Sequence, residues 1–388
     1  MSFFKIKNFY LGLLLLSLGL FSCRTAPITP PKSLPDDLNR AENQVVWRVN
    51  LGSDSDIPEI TPRVVGDFLY AASSNGKVAK INYQGEIVWQ INIDEPISAG
   101  VGADSALVAI GTDSGKIIGI NADNGNIVWE NSATHELIGP PLVTKQTVVS
   151  RSADGLFFGW DKLTGYQNWL IARAVDRLSV NSHQEMISIN DAVIATTAKA
   201  TIFAFFPQNG KIIWERQIAG PFGTTEVERL TDITSRAVTN GLFVCASAFQ
   251  RNSGCLNLSD GRLIWQGGEG SSAGVAIADN KFIEINMGDE LIGMNLADGQ
   301  PLWRNISLFN RYLTSATNFN SQIIFADGLG IVFWLDPNAG QLIKYLATEG
   351  SYTAEKVKLN PQLIKTPPVI FKDLIIIQNQ NGSILAIK

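Results

Sequence analysis

Short apolar runs alternate with small and polar turn residues along nearly the whole chain. One phrase returns with little change: a glycine turn, two apolar residues and a tryptophan, as in ADNGNIVWE at 122–130 and PQNGKIIWE at 207–215. Successive phrase glycines are 40, 40, 45, 51, 38 and 41 residues apart, and such a period is typical of repeat architectures. The phrases contain Gly85/Trp89, Gly125/Trp129, Gly165/Trp169, Gly210/Trp214, Gly261/Trp265 and Gly299/Trp303, and a degraded copy begins at Gly340 with Lys344 in the tryptophan position.

The stretches before each phrase predict three more strands per repeat. A strand opened by a turn comes directly before the phrase, as in SGKIIGIN at 114–121, and two further apolar runs precede that strand. The runs lack the longer apolar periodicity that a helix would need. Four antiparallel strands per repeat of this length form a propeller blade. We therefore predict an all-β fold, an eight-bladed β-propeller of four-stranded antiparallel blades.

The first and last strands of the pattern complete each other. Trp47 belongs to a phrase with no strands before it, and the last strand, NGSILAIK at 381–388, has no phrase after it. We predict that the strand from about Val45 to Leu51 pairs with this last strand, because a closed ring has no unpaired seam. The repeated tryptophans are predicted to fill the wedges between blades rather than to bind a ligand.

The N-terminal residues predict a lipid anchor. Residues 1–22 form a signal peptide with an apolar run that is short for a membrane span. The sequence LFSC at 20–23 resembles the lipobox of bacterial lipoproteins, which implies several acyl chains on Cys23; the alternative is an ordinary signal peptide cleaved nearby. Arg24 stands where lipoproteins of the inner membrane usually have aspartate, so we expect the outer membrane, on its periplasmic face.

The predicted tether and propeller follow the anchor. Residues 23–43 contain four prolines and few apolar side chains, which predicts an extended tether. Residues 44–388 are predicted to form the propeller. The chain is 45% hydrophobic and 17% charged, so it can bury a large core, and its formal charge of −5 argues against nucleic-acid binding.

Residue types for catalysis or metal binding are sparse. His135 and His183 lie in different repeats, without acids or cysteines at ligand spacing, and no catalytic motif is present in the sequence. Cys245 and Cys255 belong to one hairpin whose turn would place Cys245 opposite Leu256, so we expect the thiols on opposite faces. A disulfide between them stays an alternative, because the expected compartment, the periplasm, is oxidising. No catalytic residue, metal or cofactor is predicted.

One class of enzymes shares the repeated phrase. Eight-bladed propellers with a tryptophan in each blade resemble the pyrroloquinoline quinone dehydrogenases, whose repeat has the same G-x-x-x-W ending. Those enzymes are longer, add calcium ligands and commonly have a disulfide between adjacent cysteines, and this chain contains no Cys-Cys pair. Quinone-dependent catalysis is therefore an alternative hypothesis.

Two repeat intervals are stretched, and extra chain on one face of a propeller is typical of a binding surface. The first extension lies within ARAVDRLSVNSHQEM at 172–186, and the second within AGPFGTTEVERLTDIT at 219–234. Because they belong to successive blades, they should emerge near each other. The second mixes charged and apolar side chains, which suits a polar-rimmed contact. The alternative is that both are solvated loops.

The segment GTTEVERLTDIT at 223–234 resembles a G-S-T-E-I-D-R-L-S-D segment of the BamB family, lipoproteins of the β-barrel assembly machinery. The lipobox, the proline-rich tether and the tryptophan-ended blades fit the same family. This resemblance implies a non-enzymatic scaffold of the BAM complex, without a cofactor. It also implies binding to the periplasmic POTRA domains of the barrel protein BamA and assistance to the insertion of outer-membrane proteins.

The resemblance also implies which residues contact the partner. In the first extension Leu178 and Val180 match an L-x-L pair, while Asn181 replaces an arginine of the family, which removes a charge-assisted contact. In the second, Thr234 replaces an acid, and the matching positions are Thr225, Glu226, Arg229, Leu230 and Asp232. A further hypothesis is that the sheet edges add a strand to unfolded outer-membrane protein clients.

Overall fold

The computed structural model describes residues 29–42, 45–52, 60–173, 185–197, 199–220, 232–233, 235–271, 273–348 and 364–388. Within these ranges the chain consists of strands and turns, and none of it forms a helix long and apolar enough to cross a membrane. The strands are β1 (Asn39–Arg40), β2 (Val45–Asn50), β3 (Arg63–Val65), β4 (Phe68–Ala72), β5 (Lys77–Asn82), β6 (Ile87–Asn92), β7 (Ile97–Ala103), β8 (Leu107–Thr112), β9 (Lys116–Asn121), β10 (Ile127–Ser132), β11 (Leu142–Val143), β12 (Thr147–Arg151), β13 (Leu156–Asp161), β14 (Gln167–Ala172), β15 (Ile187–Ile189), β16 (Ala192–Thr197), β17 (Thr201–Phe205), β18 (Ile212–Gln217), β19 (Val238–Thr239), β20 (Phe243–Ser247), β21 (Ser253–Asn257), β22 (Leu263–Gly267), β23 (Gly274–Ala278), β24 (Lys281–Ile285), β25 (Leu291–Asn295), β26 (Pro301–Asn305), β27 (Thr317–Phe319), β28 (Gln322–Ala326), β29 (Ile331–Asp336), β30 (Gln341–Ala347), β31 (Val369–Phe371), β32 (Leu374–Gln378) and β33 (Ser383–Ile387).

These strands form eight sheets in the described part of the chain, and each sheet is one blade. Blades one to seven each contain four successive antiparallel strands, from β3–β6 in blade one to β27–β30 in blade seven. The first strands of most neighbouring blades contact one another, which places these strands around the axis. We call the four strands of a blade a, b, c and d from the axis to the rim. The predicted eight-bladed propeller is confirmed.

Blade eight is built from distant parts of the chain and closes the ring. Strands β31, β32 and β33 supply its strands a, b and c, and β2 supplies strand d. Strands β2 and β33 are antiparallel, with Val49 opposite Ile384. The predicted closure is confirmed, and blade eight therefore has the same four strands as its neighbours.

The core is divided into wedges between neighbouring blades. Each of the eight interfaces around the ring contains one cluster of buried apolar side chains, contributed by the sheets on both sides. Because both faces of every sheet are covered, strands b and c are apolar along nearly their whole length, as in the buried LVAIGT of β8. The ring is thus held together by apolar burial from blade to blade.

A tryptophan on strand d joins a blade to the next one. The indole N–H of Trp129 in blade two donates to the carbonyl of Lys162, in the c–d turn of blade three, over 2.9 Å. The ring lies against Gly165 of that turn, where a Cβ atom would come within 2.7 Å of the indole. The φ of +72° at Gly165 also favours glycine. The glycine and the tryptophan of the repeated phrase are therefore the two halves of one contact between blades.

The same contact recurs at all seven repeated tryptophans. Their N–H groups donate over 2.7–3.1 Å to carbonyls of the following blade, and the side chains are buried or half-buried. The pairs are Trp47–Tyr83, Trp89–Ala122, Trp129–Lys162, Trp169–Pro207, Trp214–Leu258, Trp265–Leu296 and Trp303–Pro337. The tryptophans pack between blades, as the sequence predicted.

Blade seven has Lys344 in the tryptophan position, and the topology explains this exception. Its neighbour is blade eight, where strand c is β33 and strand d is β2. These strands are not consecutive in the chain, so blade eight lacks the c–d turn that receives an indole elsewhere. The ammonium group of Lys344 instead lies 4.6 Å from the ring centre of Trp334 on the same blade.

The segment before β2 differs from the predicted tether. The compact unit that contains the propeller begins at Lys32, not at residue 44. Strand β1 adds in parallel to the rim strand of blade seven, with Arg40 opposite Tyr345. Leu34 and Leu38 pack against the apolar cluster between blades six and seven. Residues 32–42 therefore dock on the propeller because two leucines and one strand edge bind them, and a tether can include only the residues before them.

Cys245 and Cys255 form a disulfide, so the prediction that the thiols face opposite sides was wrong. The register pairs Cys245 with Cys255, with their Cα atoms 4.1 Å apart, instead of pairing Cys245 with Leu256. The hairpin connection has the five residues 248–252 and is centred on Gln250, which has a positive φ of 54°. An odd number of residues shifts the register by one and turns both thiols to the same face.

We expect Trp129→Ala to lower the free energy of unfolding by about 3–5 kcal/mol, because it removes a large ring from the wedge and leaves the Lys162 carbonyl without its donor. The measurement is chemical denaturation followed by circular dichroism. The matched variant is Lys344→Trp, which should give no gain in stability because blade eight has no receiving turn. A gain comparable to the loss at Trp129 would contradict the role assigned to the turn.

Candidate functional site

The two faces of the propeller differ in the chain that they carry. Because successive strands alternate in direction, the b–c turns and the connections between blades lie on one face, which we call the connection face. The a–b and c–d turns lie on the opposite face. Both long connections, from β14 to β15 and from β18 to β19, are between blades, so they begin and end on the connection face, on either side of blade four.

Most of the sequence-predicted contact residues lie outside the described residues. This applies to Cys23, to three positions of the first connection and to four of the second. Those positions are Leu178, Val180, Asn181, Thr225, Glu226, Arg229 and Leu230. Their role in partner binding stays a prediction. The structure describes one predicted contact, Asp232, together with the residues where the two connections rejoin the blades.

Asp232 lies at the base of the second connection, and its side chain is buried. Its carboxylate accepts from the backbone N–H of Lys199 at 3.4 Å, and its carbonyl accepts from Phe249 N–H at 2.8 Å. Desolvation lowers the pKa of Arg151 to about 10, and the nearby Asp232 carboxylate opposes that shift. The next residue, Ile233, forms a bridge with Ala248 of blade five. Asp232 therefore helps to fix the end of the connection to blades four and five.

A cluster of three charged residues, Arg63, Glu185 and Arg236, ties both connections together; we call it the channel-mouth cluster. Glu185 lies at the end of the first connection, just before β15, and Arg236 lies at the end of the second, just before β19. The Nη1 atom of Arg63 donates to Glu185 Oε1 at 2.6 Å, and the Nη1 atom of Arg236 donates to Glu185 Oε2 at 3.5 Å. One carboxylate thus joins blade one to the bases of both long connections.

The channel-mouth cluster lies where the inner strands enter the propeller. Arg63 is the first residue of β3, and Arg236 also donates through Nη2 to Thr317 Oγ1, at the start of β27, over 3.4 Å. Residues of five inner strands, together with Glu185 and Arg236, line a cavity of about 320 Å³ at this mouth. The side chains of the three charged residues are 26–42% exposed, so the ion pairs are accessible to solvent and individually weak.

Sequence reasoning missed the channel-mouth cluster. Arg63 and Glu185 are separated by 122 positions, and Glu185 and Arg236 by 51. The only available signal was that Glu185 lies at the end of the first extension and that Arg236 comes just after the second. Charged residues are also common in solvated turns, so the sequence alone could not show that these residues form ion pairs with each other.

The residues considered for metal or acid–base chemistry are dispersed. On the connection face the Nδ1 atom of the exposed His135 lies 2.9 Å from Oδ2 of the half-buried Asp154. His183 lies outside the described residues. Among the residues that the structure describes, no three His, Cys, Asp or Glu side chains are grouped as a metal site would need. The arrangement offers two neighbouring connections on a rigid ring, which is suited to binding another macromolecule.

Comparisons with known proteins agree on one family. Residues 74–305 match a family model described as outer membrane protein assembly factor BamB. A protein of that name from Burkholderia pseudomallei is 29% identical over 343 residues, covering 88% of this chain and 87% of the relative. The crystal structure of BamB from Moraxella catarrhalis has a TM-score of 0.79 at 23% identity, covering 89% of this chain and 99% of the other.

An enzyme structure has the same fold. A quinohemoprotein alcohol dehydrogenase from Comamonas testosteroni has a TM-score of 0.65 at 13% identity, covering 92% of this chain and 78% of the enzyme. At this identity the likeness concerns the propeller fold alone.

We expect Asp232→Ala to lower the free energy of unfolding by about 1–3 kcal/mol, because it removes the acceptor of the Lys199 N–H and the negative charge near the buried Arg151 guanidinium. The matched control is Asp191→Ala, in an exposed turn of blade four, which should leave the urea midpoint unchanged. Equal midpoints for both variants would show that Asp232 does not fix the connection.

Proposed function

Because the chain belongs to the BamB family of outer membrane protein assembly factors, we propose that it is a non-enzymatic scaffold of the BAM complex. In this proposal it binds the periplasmic POTRA domains of the barrel protein BamA and so assists the insertion of outer-membrane proteins. The single observation that carries the docking proposal is the joining of the two long connections at their bases by Glu185 and Arg236.

The proposed docking surface consists of the two long connections on either side of blade four. Its contact residues are proposed to be Leu178, Val180, Asn181, Thr225, Glu226, Arg229 and Leu230. A surface with apolar residues inside a charged rim is typical of protein–protein contacts. Asp232 acts below this surface, since its buried side chain fixes the end of the second connection.

The channel-mouth cluster would lower the entropic cost of binding a partner at this docking surface. Two loops that move independently must both be ordered on binding, and each loses conformational entropy at that moment. Glu185 contacts the base of the second connection through Arg236 and the inner strand of blade one through Arg63. The ends of both connections are thereby fixed when the propeller folds.

The proposed location is the periplasmic face of the outer membrane, with acyl chains on Cys23 as the anchor. Lys32 is the first residue of the folded unit, so eight residues, 24–31, lie between it and the proposed anchor. Fully extended, this stretch spans about 30 Å. The docking of residues 32–42 on the propeller therefore keeps the folded unit closer to the membrane than a tether reaching residue 43 would.

Strand addition to unfolded clients is a second candidate function, and one observation favours it. The rim strand of blade seven accepts β1 as a fifth strand, so a blade edge of this protein can bind an extended segment. Other rim strands carry exposed apolar side chains, such as Val88 and Val128. An extended client with apolar residues on alternate positions would fit such an edge.

We expect Leu178→Asp and Arg229→Glu each to abolish co-purification with BamA from solubilised outer membranes, because they place repulsive charge at the proposed contact. The control is Leu163→Asp in the c–d turn of blade three, on the opposite face, where the side chain is 85% exposed. It should retain the yield of the unmodified protein. Yields at Leu178→Asp and Arg229→Glu equal to that of Leu163→Asp would contradict the docking surface.

Crosslinking separates docking from client capture. A photoreactive group at residue 178 or 229 should give one discrete product if these residues dock on BamA. A broad set of products with many outer-membrane proteins would instead favour the second candidate function.

We expect Glu185→Gln to weaken binding of purified POTRA domains by at most about fivefold, because it loosens both connections while breaking only solvent-exposed ion pairs. Its melting temperature should stay close to that of the unmodified protein. The control is Glu95→Gln, which breaks an exposed pair with Lys116 between blades one and two and should leave affinity unchanged. Equal affinities for both variants would show that the channel-mouth cluster does not order the connections.

A further inference from the structure

The exposed apolar residues of the connection face are concentrated at one place. Among the residues that the structure describes, four large apolar side chains of that face are more than a third exposed: Met287 at 46%, Ile306 at 54%, Phe309 at 41% and Tyr312 at 38%. Met287 lies in the b–c turn of blade six, and the other three lie in the connection from blade six to blade seven. We call these four residues the rim patch.

The backbone of the rim patch is held rigidly. The Asp289 carboxylate accepts from Tyr312 N–H at 2.6 Å and from Leu313 N–H at 2.9 Å. The Phe309 ring covers Gly288, where a Cβ atom would lie 3.1 Å from the ring. These contacts join the b–c turn of blade six to the following connection. The apolar side chains are therefore presented by a fixed surface rather than by a loose loop.

The N-terminal segment binds directly beside the rim patch. The backbone N–H of Lys32 donates to Phe309 O, and its ammonium group donates to Ile306 O, both at 3.0 Å. In return Arg311 Nη1 donates to Lys32 O at 2.8 Å. Arg311 is itself fixed, because its guanidinium forms a buried ion pair of 2.7 Å with Asp327. The first residue of the folded unit is thus bound within the connection that carries the patch.

The length of chain before Lys32 connects this patch to the anchor. Eight residues, 24–31, separate the proposed lipid site Cys23 from Lys32, so the chain between them can span about 30 Å at most. The acyl chains would therefore keep the rim patch within that distance of the membrane, whichever path these residues take. Other parts of the ring can turn further away than the point at which the anchored chain joins the propeller.

The chemistry of the patch matches the surface of a lipid bilayer. Aromatic rings with a polar tip, such as Tyr312, prefer the boundary between headgroups and acyl chains, and aliphatic side chains and methionine enter the outer acyl region. The ammonium group of Lys32 lies beside the patch and suits contact with phosphate groups. The long connections leave the same face two and three blades away, so membrane contact at the patch leaves them free for a partner.

We propose that the rim patch rests on the phospholipid surface of the membrane to which the protein is anchored, and so orients the connection face toward that membrane. This inference rests on the proposed lipidation of Cys23, but not on binding to BamA. The patch and the anchor act together: the acyl chains supply the attachment, and the patch restricts how the propeller can rotate around it.

The test uses lipidated full-length protein reconstituted in vesicles of phosphatidylethanolamine and phosphatidylglycerol that contain nitroxide-labelled lipid. An environment-sensitive fluorophore is attached at Ile306→Cys or, as the matched control on the opposite face, at Leu163→Cys. We expect a blue shift and strong quenching at position 306 and neither at position 163. Adding Met287→Ser and Phe309→Ser should reduce the quenching at 306 without releasing the protein from the vesicles.

Each other outcome overturns the inference in a recognisable way. Equal quenching at 306 and 163 would mean that the patch has no preferred contact with lipid. A blue shift in detergent that grows with protein concentration would identify a second copy as the occupant. A shift that appears only after BamA is added would identify a protein partner. An unlipidated Cys23 in mass spectrometry of the N-terminal peptide would overturn the anchor and this inference together, while leaving the docking surface untouched.

Discussion

The structure depends on the contact between an indole on the rim strand of one blade and the glycine turn of the next. The ring covers the turn, its N–H binds a turn carbonyl, and the missing Cβ of a residue such as Gly165 makes the close approach possible. Seven blades use this contact. The exception at Lys344 faces blade eight, whose rim strand comes from another part of the chain. The repeated phrase thus encodes neighbour-to-neighbour association in a ring.

A ring held together in this way leaves its connections free to vary. Apolar wedges stabilise every interface, and indole contacts stabilise all of them except the one between blades seven and eight. Long connections can therefore be inserted there at small cost in stability, provided that their bases are secured. Asp232 secures the end of the second connection, and Glu185 joins the bases of both. A body of this kind with neighbouring long connections is consistent with the scaffold role that we propose.

The N-terminal segment shows how a few contacts decide where the chain before the propeller joins it. Proline-rich composition indicated a free tether, yet two leucines and a strand edge bind residues 32–42 to blades six and seven. Similarly, a single residue in a hairpin connection decided that Cys245 and Cys255 are bonded. In both cases composition and the position of a turn were not enough, because a small difference in register or burial decided the outcome.

The sequence by itself determined the number of blades, the four-stranded pattern within each blade, the closure by β2 and β33, and the packing role of the tryptophans. These features depend on a pattern that repeats about every 45 residues, so each repeat contains the same short-range signals for strands, turns and packing. Only the tertiary structure decided which distant residues meet. Lys32 and Arg311 are 279 positions apart, and Arg63 and Glu185 are 122 apart. Such contacts leave no periodic trace, because they arise from the closing of the ring, which brings unrelated turns to the same face.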